Sequence, residues 1–179
     1  MGSEYGDDLW IMANIDLPRD GFFLDLGCAW REMNSNTAFL RKRGWRGLCV
    51  DANPIYAPEW KGVETFACAI IGDGDPHKFH FADAPDLSRF GEGLWMPTIK
   101  LMTLLQGVPK IDFISLDLEG GEFEALRFFP WMEQKPRVII SERCTHGIGE
   151  DLRVRDMMQR LNCYRLVHSN EANDIFLLE

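Results

Sequence analysis

The sequence has few positive charges for a chain of its length. Its 179 residues include 19 lysines and arginines against 28 aspartates and glutamates, which gives a formal net charge of −9 at pH 7. Proteins that bind nucleic acids along the phosphate backbone need a cationic surface, so we expect no nucleic-acid partner. A short basic run, Arg41-Lys42-Arg43 with Arg46, is interpreted as the solvated end of a helix.

Long apolar runs and paired cysteines are also missing. No stretch approaches the roughly 18 apolar residues of a membrane span, and the first residues lack the apolar core of a signal peptide. The five cysteines, at positions 28, 49, 68, 144 and 163, include no C-x-x-C pair. This pattern favours reduced thiols over a disulfide framework or a zinc site. We therefore expect a cytoplasmic protein with no membrane partner.

Short apolar runs alternate with helical segments along the chain. The runs are bounded by glycine, proline or charge, which is typical of buried parallel strands. This order predicts an α/β fold with a mostly parallel central sheet, helices on both faces and an antiparallel hairpin at the C-terminus. We predict strands at 22–26, 48–52, 63–70, 112–118 and 137–142, helices at 35–43, 121–129 and 150–161, and a hairpin of 164–169 and 174–179.

No change in composition divides the chain. We therefore expect one domain over residues 1–179, with residues 1–20 packing on it as an N-terminal segment. Residues 82–97 are rich in proline, glycine and aspartate and show no clear periodicity. This stretch is interpreted as a surface loop, which is either a lid or a plain connection.

Acidic residues stand where four of the predicted strands end: Asp25, Asp51, Asp117 and Glu142. Ligands of an open parallel sheet bind beyond the carboxyl ends of its strands, so we expect these carboxylates to converge on one rim. An acid directly after a buried strand loses hydration unless a partner compensates it. Four such acids therefore favour a binding site over a set of unrelated surface charges.

Asp51 and Gly27 suggest what this rim binds. Asp51 lies 26 residues after Asp25, close to the roughly 20-residue offset at which an acid holds a ribose in nucleotide-binding βαβ units. Its alternative role is to cap the turn at Asn53-Pro54. After the first strand, Gly27 alone remains of the G-x-G-x-x-G loop that seats a pyrophosphate. A nicotinamide-dependent oxidoreductase is therefore disfavoured, and a ligand without phosphates is favoured.

The segment IDFISLDLEGGEFEAL at 111–126 contains the pattern D-x-E-G-x-E. Further segments are SEYGDDLWI at 3–11, GFFLDLG at 21–27, SNTAFLRKRGWRGLCVDANP at 35–54, ACAI at 67–70 and RVIISE at 137–142. Together they resemble the FkbM-type family of S-adenosylmethionine-dependent methyltransferases, and D-x-E-G-x-E is the most specific match. The resemblance implies a Rossmann-like class I methyltransferase fold. It also implies methyl transfer from S-adenosylmethionine to a hydroxyl of a small molecule or sugar.

The resemblance also implies roles for individual residues. Gly27 approaches the methionine part of the cofactor, Asp51 holds the ribose and Ala69 borders the adenine. The cofactor-binding residues implied are Asp25, Gly27, Cys28, Ala29, Trp30, Arg31, Asn36, Asp51, Ala52, Ala69 and Asp117. The candidates for a catalytic base are Asp117, Glu119, Glu142 and His146. No metal is predicted, although Asp117, Glu119 and Glu142 offer the oxygen ligands that Mg²⁺ prefers.

The loop after Gly27 departs from the family's pattern of further glycines and an acid. Here Cys28, Ala29, Trp30 and Arg31 follow, and Ala29 is expected to be tolerated if its φ angle is negative. One hypothesis pairs Arg31 with the cofactor's carboxylate and covers that contact with Trp30. The alternative is that these side chains fill the pocket, which leaves a non-catalytic binding or regulatory module. The oligomeric state stays open, with a homodimer among the states considered.

Overall fold

A computed structural model of the chain describes residues 2–62, 65–81, 88–91, 93–145 and 149–179. Its helices are α1 (Asp7–Asn14), α2 (Ala38–Lys42), α3 (Ala57–Trp60), α4 (Leu101–Leu104), α5 (Glu122–Arg127) and α6 (Arg153–Leu161), with a 3₁₀ turn at Pro54–Tyr56. Its strands are β1 (Phe22–Leu26), β2 (Arg46–Asp51), β3 (Thr65–Cys68), β4 (His77–His80), β5 (Arg89–Phe90), β6 (Leu94–Met96), β7 (Phe113–Leu116), β8 (Val138–Glu142), β9 (Cys144–Thr145), β10 (Gly149–Glu150), β11 (Tyr164–Ser169) and β12 (Asn173–Leu178). Within these ranges, no helix combines the length and the apolar character needed to cross a membrane.

Seven strands form one sheet in the order β11-β12-β8-β7-β1-β2-β3. The first strand, β1, pairs in parallel with β2 on one side and with β7 on the other. The closing hairpin of β11 and β12 adds to β8 in the antiparallel sense, which confirms the predicted fold class. In such sheets a ligand binds where the strand order changes direction. Here that position is the crevice between the carboxyl ends of β1 and β7.

Residues of the central strands alternate between the two faces of the sheet, and both faces are covered. Leu24 and Leu26 of β1 pack in one apolar cluster, and Phe23 packs with Phe113 in the other. All four side chains are fully buried. This double burial explains why β1 and β7 read as continuous apolar runs in the sequence. It also places Asp25, which follows Leu24, on the same face of the sheet as Phe23.

Residues 82–97 correct one prediction. Instead of a single loop, this stretch contains β5 and β6, which flank β4 in a separate three-stranded antiparallel sheet. Residues 82–87 and 92 of the predicted loop lie outside the described residues. These two strands hold two and three residues, which is too short to produce a detectable alternation among glycines and acids.

Helix α1 was not predicted, and it ties the N-terminal segment to the closing hairpin. The buried carboxylate of Asp7 accepts hydrogen bonds from the side-chain amides of Asn170 and Asn173, both at 2.8 Å. The two donors offset the cost of burying this charge. The residues just before the helix, Glu4 and Tyr5, are thereby held near the carboxyl end of β8, where they line a cavity with Glu142.

Candidate active site

The turn after β1 brings the backbone of that strand close to the end of β7. Gly27 has a φ angle of +78°, and a Cβ atom there would overlap the backbone oxygen of Asp117. Only glycine avoids both this overlap and the strain of the left-handed conformation. Gly27 therefore permits the close contact between the ends of β1 and β7 at the base of the crevice.

Ala29 has a φ angle of +41°, so the condition under which alanine was expected to be tolerated here is not met. The loop has a left-handed residue at a position where alanine is strained by about 1 to 2 kcal/mol. Hydrogen bonds hold it there. The Ala29 amide donates to Oδ2 of Asp51 at 3.0 Å, and the Trp60 indole donates to the Ala29 carbonyl at 3.0 Å. The loop is thus fastened to the end of β2 and to α3.

Asp51 also caps the turn that follows β2. Its Oδ1 accepts a hydrogen bond from the amide of Asn53 at 2.8 Å, which is the structural role weighed from the sequence. The same residue lines a cavity with Gly27 and Ala69. The two roles are compatible because each carboxylate oxygen accepts more than one hydrogen bond. The ribose contact of Asp51 stays a prediction.

Two adjoining cavities occupy the crevice. The apolar cavity has a volume of about 80 Å³, and the acidic cavity has a volume of about 320 Å³. Gly27, Ala29, Asp117 and Glu119 line both, so the two cavities adjoin each other. The apolar cavity is further lined by Val50, Asp51, Ala52, Tyr56, Ala69, Ile70, Ile71, Phe79, Ser88, Phe90 and Leu118. The acidic cavity is further lined by Glu4, Tyr5, Asp25, Cys28, Trp30, Met33, Asn34, Ser35, Asn36, Ser115, Glu142 and Asn173.

Asp25 is buried beneath the acidic cavity. Its Oδ2 accepts a hydrogen bond from Oγ1 of Thr37, which itself accepts one from Nη1 of Arg41 at 2.7 Å. Burial raises the pKa of Asp25 to about 6, although the Thr37 hydroxyl and the Arg41 charge act in the opposite direction. The neighbouring Asn36 donates to Oγ of Ser115 at 3.3 Å. Ser35 and Asn36, which begin the predicted helix at 35–43, therefore belong to the polar floor of this cavity.

Asp117, Glu119 and Glu142 form a carboxylate cluster on the acidic cavity. One oxygen of each lies within 4.8 Å of one oxygen of the others. Asp117 follows β7 and Glu142 ends β8, so adjacent parallel strands deliver both to the same edge. Glu119 lies in the turn before α5 with a φ angle of +50°. That conformation is uncommon for a residue with a side chain and is typical of functional turns.

The carboxylate cluster holds protons more tightly than ordinary acids do. Burial raises the pKa of Asp117 and of Glu142 well above the usual range, and the charges of the neighbouring carboxylates add to the effect. The side chain of Asp117 remains accessible through the crevice while protein surrounds it on its other sides. One oxygen of Asp117 lies within 4.8 Å of one oxygen of Glu142. Repulsion between carboxylates at this separation favours a proton on one of them at neutral pH.

Two residues of the remodelled loop take different positions. Trp30 lines the acidic cavity and packs edge-on against Tyr56, with ring centroids 4.9 Å apart. The guanidinium of Arg31 pairs with Glu32 at 2.9 Å, and the described lining of neither cavity includes it. The contact of Arg31 with the carboxylate of the cofactor therefore stays a prediction.

Among the remaining predicted residues, Ala52 and Ala69 reach the apolar cavity, and Cys28 is buried against the acidic one. His146 lies outside the described residues, so its role as a base stays a prediction. Sequence reasoning missed several lining residues. Glu4 and Tyr5 arrive through α1. Phe79 lies in β4 of the small sheet, and Phe90 lies in β5, within the stretch that was interpreted as a loop.

The strand order and the crevice at the ends of β1 and β7 define a Rossmann-like fold of the methyltransferase class. A family model described as the methyltransferase FkbM domain matches residues 47–166. Because the match spans more than half of the chain, the chain belongs to the FkbM methyltransferase family, which confirms the resemblance found in the sequence. Membership makes it a methyltransferase with S-adenosylmethionine as its cofactor.

Solved structures are similar to this chain at low sequence identity. The crystal structure of a fibrillarin/Nop5p complex matches with a TM-score of 0.57 and 11% identity, over 98% of this chain and 80% of that chain. The C-terminal domain of precorrin-6Y C5,15-methyltransferase from Rhodobacter capsulatus matches with a TM-score of 0.47 and 9% identity, over 96% and 85% of the two chains. CalO1, a methyltransferase in calicheamicin biosynthesis in its SAH-bound form, matches with a TM-score of 0.44 and 13% identity, over 97% and 54%. No curated protein sequence matched the chain.

Proposed function

We propose that this protein transfers a methyl group from S-adenosylmethionine to a hydroxyl of a small molecule or sugar. The observation that supports this function is the carboxylate cluster on the acidic cavity. A hydroxyl acceptor must lose its proton during transfer, and a carboxylate within hydrogen-bond reach can accept it. The acidic cavity, of about 320 Å³, adjoins the apolar cavity and offers space for a small acceptor.

The residues of the crevice fit the proposed cofactor. Asp51 offers carboxylate oxygens that suit the vicinal hydroxyls of a ribose. Ala52 and Ala69 border the apolar cavity, as neighbours of an adenine ring would. Gly27 has no side chain to block the approach of the methionine part. The further residues assigned to the cofactor are Asp25, Cys28, Ala29, Trp30, Asn36 and Asp117, which line the acidic cavity.

When bound, S-adenosylmethionine supplies a methyl group on a positively charged sulfur, and the acceptor oxygen takes this group as the carbon–sulfur bond breaks. The hydroxyl proton leaves to the carboxylate cluster. When Asp117 and Glu142 hold one proton between them, one carboxylate of the pair is ionised and can accept the hydroxyl proton. Glu119 lies beside them. His146 is the alternative base. The walls of the two cavities align the acceptor, and such alignment supplies a large share of enzymatic rate enhancement.

The direct test is mass spectrometry of hydroxylated small molecules and sugars after incubation with the protein and isotope-labelled S-adenosylmethionine. We expect a product that carries one labelled methyl group on oxygen. Glu119→Gln should lower kcat about 100-fold, because a positioned base contributes roughly that factor or more. The matched control is Glu133→Gln, which neutralises an exposed glutamate away from the crevice and should leave kcat unchanged.

Binding must be measured in parallel, since it distinguishes the two ways in which the proposal can fail. Calorimetric titration with S-adenosylmethionine and with S-adenosylhomocysteine should show binding to the wild type and to both variants. Absence of binding would favour a non-catalytic module. Binding with methyl transfer to an atom other than oxygen would retain the methyltransferase and overturn the hydroxyl acceptor.

A further inference from the structure

We propose that the methyl acceptor carries a positively charged amine, and that the acidic cavity binds this group beside the hydroxyl to be methylated. The acceptor class is therefore a hydroxylated amine, such as an amino sugar or an amino alcohol. This inference rests on the proposed function, because it names the substrate of the same site. The new element is a positive charge on the acceptor, which a neutral sugar lacks.

The negative charge of the acidic cavity's lining favours a positively charged acceptor. Five acids line the acidic cavity, and its described lining contains no lysine, arginine or histidine. Asp25 is offset by Arg41, which leaves Glu4, Asp117, Glu119 and Glu142. If Asp117 and Glu142 share one proton, up to three negative charges remain from those four acids. The cofactor has one net positive charge, so its binding leaves a negative cavity.

One carboxylate of the lining also has a buried oxygen that lacks a donor. Oε2 of Glu142 is buried with no hydrogen-bond partner among the described residues. In the free protein, a proton shared with Asp117 can satisfy it. An ammonium group has three donors and a positive charge, so it can replace that proton and satisfy several carboxylate oxygens together. A neutral hydroxyl provides one donor and does not relieve the repulsion within the cluster.

Aromatic side chains complete an environment suited to a cation. Tyr5 and Trp30 both belong to the lining of the acidic cavity. Tyr5 lies near the acids, since after burial the charges of Glu4 and Glu142 contribute most to its raised pKa. The faces of tyrosine and tryptophan attract ammonium groups by roughly 0.5 to 2 kcal/mol each when suitably placed. Acids and aromatic rings in one cavity therefore favour an organic amine over a neutral acceptor.

Amine binding would also prepare the cluster for catalysis. A nearby positive charge favours the ionised form of a carboxylate, so the amine should displace the shared proton. The groups facing that proton are Asp117, Glu119, Glu122, Glu142, Asp25, Glu4 and Tyr5. A fully ionised cluster accepts the proton of the hydroxyl more readily than one that already holds a proton. A neutral acceptor would leave the proton in place and react slowly.

The test uses calorimetry on the protein loaded with S-adenosylhomocysteine, whose sulfur is uncharged. The probes are a panel of amino sugars and amino alcohols, each paired with its N-acetylated form. We expect at least one amine to bind tenfold or more tightly than its acetylated partner. We also expect its binding to release protons, which appears as a heat that changes with the ionisation enthalpy of the buffer.

The matched variants are Glu142→Gln and Glu133→Gln. The first should reduce affinity for the preferred amine about tenfold with little change for its acetylated partner, and it should abolish proton release. The second should change neither quantity. Thermal melting verifies that both variants fold. Equal affinity for amines and acetylated partners across the panel would overturn the inference, as would methylation of a neutral compound with no amine preference.

A divalent cation is the competing occupant of the carboxylate cluster, because three clustered carboxylate oxygens also suit Mg²⁺. Titration of the loaded protein with Mg²⁺ alone separates the two. Proton release by Mg²⁺ at micromolar concentration, with no preference for amines, would overturn the inference. Failure of S-adenosylhomocysteine to bind at all would instead refute the proposed function, so the two failures are distinguishable.

Discussion

Replacing Ala29 with glycine is expected to stabilise this protein by roughly 0.5 to 1 kcal/mol. The φ angle of Ala29 is +41°, and the left-handed conformation costs a residue with a Cβ atom about 1 to 2 kcal/mol. Glycine avoids that strain but loses about 0.5 to 1 kcal/mol more backbone entropy on folding. The difference between the two effects gives the expected gain.

The assay is equilibrium unfolding in urea, followed by tryptophan fluorescence. Ala57→Gly is the matched control, because Ala57 has a φ angle of −52° where α3 begins. There the same substitution should destabilise the protein by about 0.5 to 1 kcal/mol. Opposite signs for the two variants would support the argument. A loss of stability of similar size in both would show that Ala29 is not strained, and the reasoning would be wrong.

Three further predictions follow from the crevice. Gly27→Ala should cost about 3 kcal/mol or more in urea unfolding, because its Cβ atom overlaps the Asp117 backbone. Asp51→Asn should cost about 1 kcal/mol, since one of its two backbone hydrogen bonds loses its acceptor, and calorimetry should show weaker binding of S-adenosylhomocysteine. The pKa of Glu142 is raised in the folded state, so the folded protein binds a proton that the unfolded chain releases above about pH 4. Stability should therefore fall as pH rises from about 5 to 8, and thermal melting of Glu142→Gln should show a smaller fall.

The sequence predicted the fold class and the positions of the acids because both depend on local signals. Apolar runs mark the buried strands, and the acid that ends each run is visible directly, as at Asp51 and Glu142. The N-terminal contribution to the site was not predictable in this way. Glu4 and Tyr5 reach the cavity through contacts such as that between Asp7 and Asn170, which are separated by 163 residues. No periodicity encodes such a contact.

The loop after Gly27 also shows why the absence of further glycines in the sequence did not decide whether the cofactor binds. From the sequence, alanine at position 29 was expected to be tolerated if its φ angle were negative, and the alternative was a loop that had lost the cofactor. The structure retains the left-handed backbone, with the amide of Ala29 bound to Asp51 and its carbonyl bound to Trp60. Two hydrogen bonds of about 1 kcal/mol each can offset a strain of similar size. Asp51, the predicted ribose ligand, therefore also holds the loop in position. Order in the loop and affinity for the cofactor should thus decline together when this carboxylate is removed.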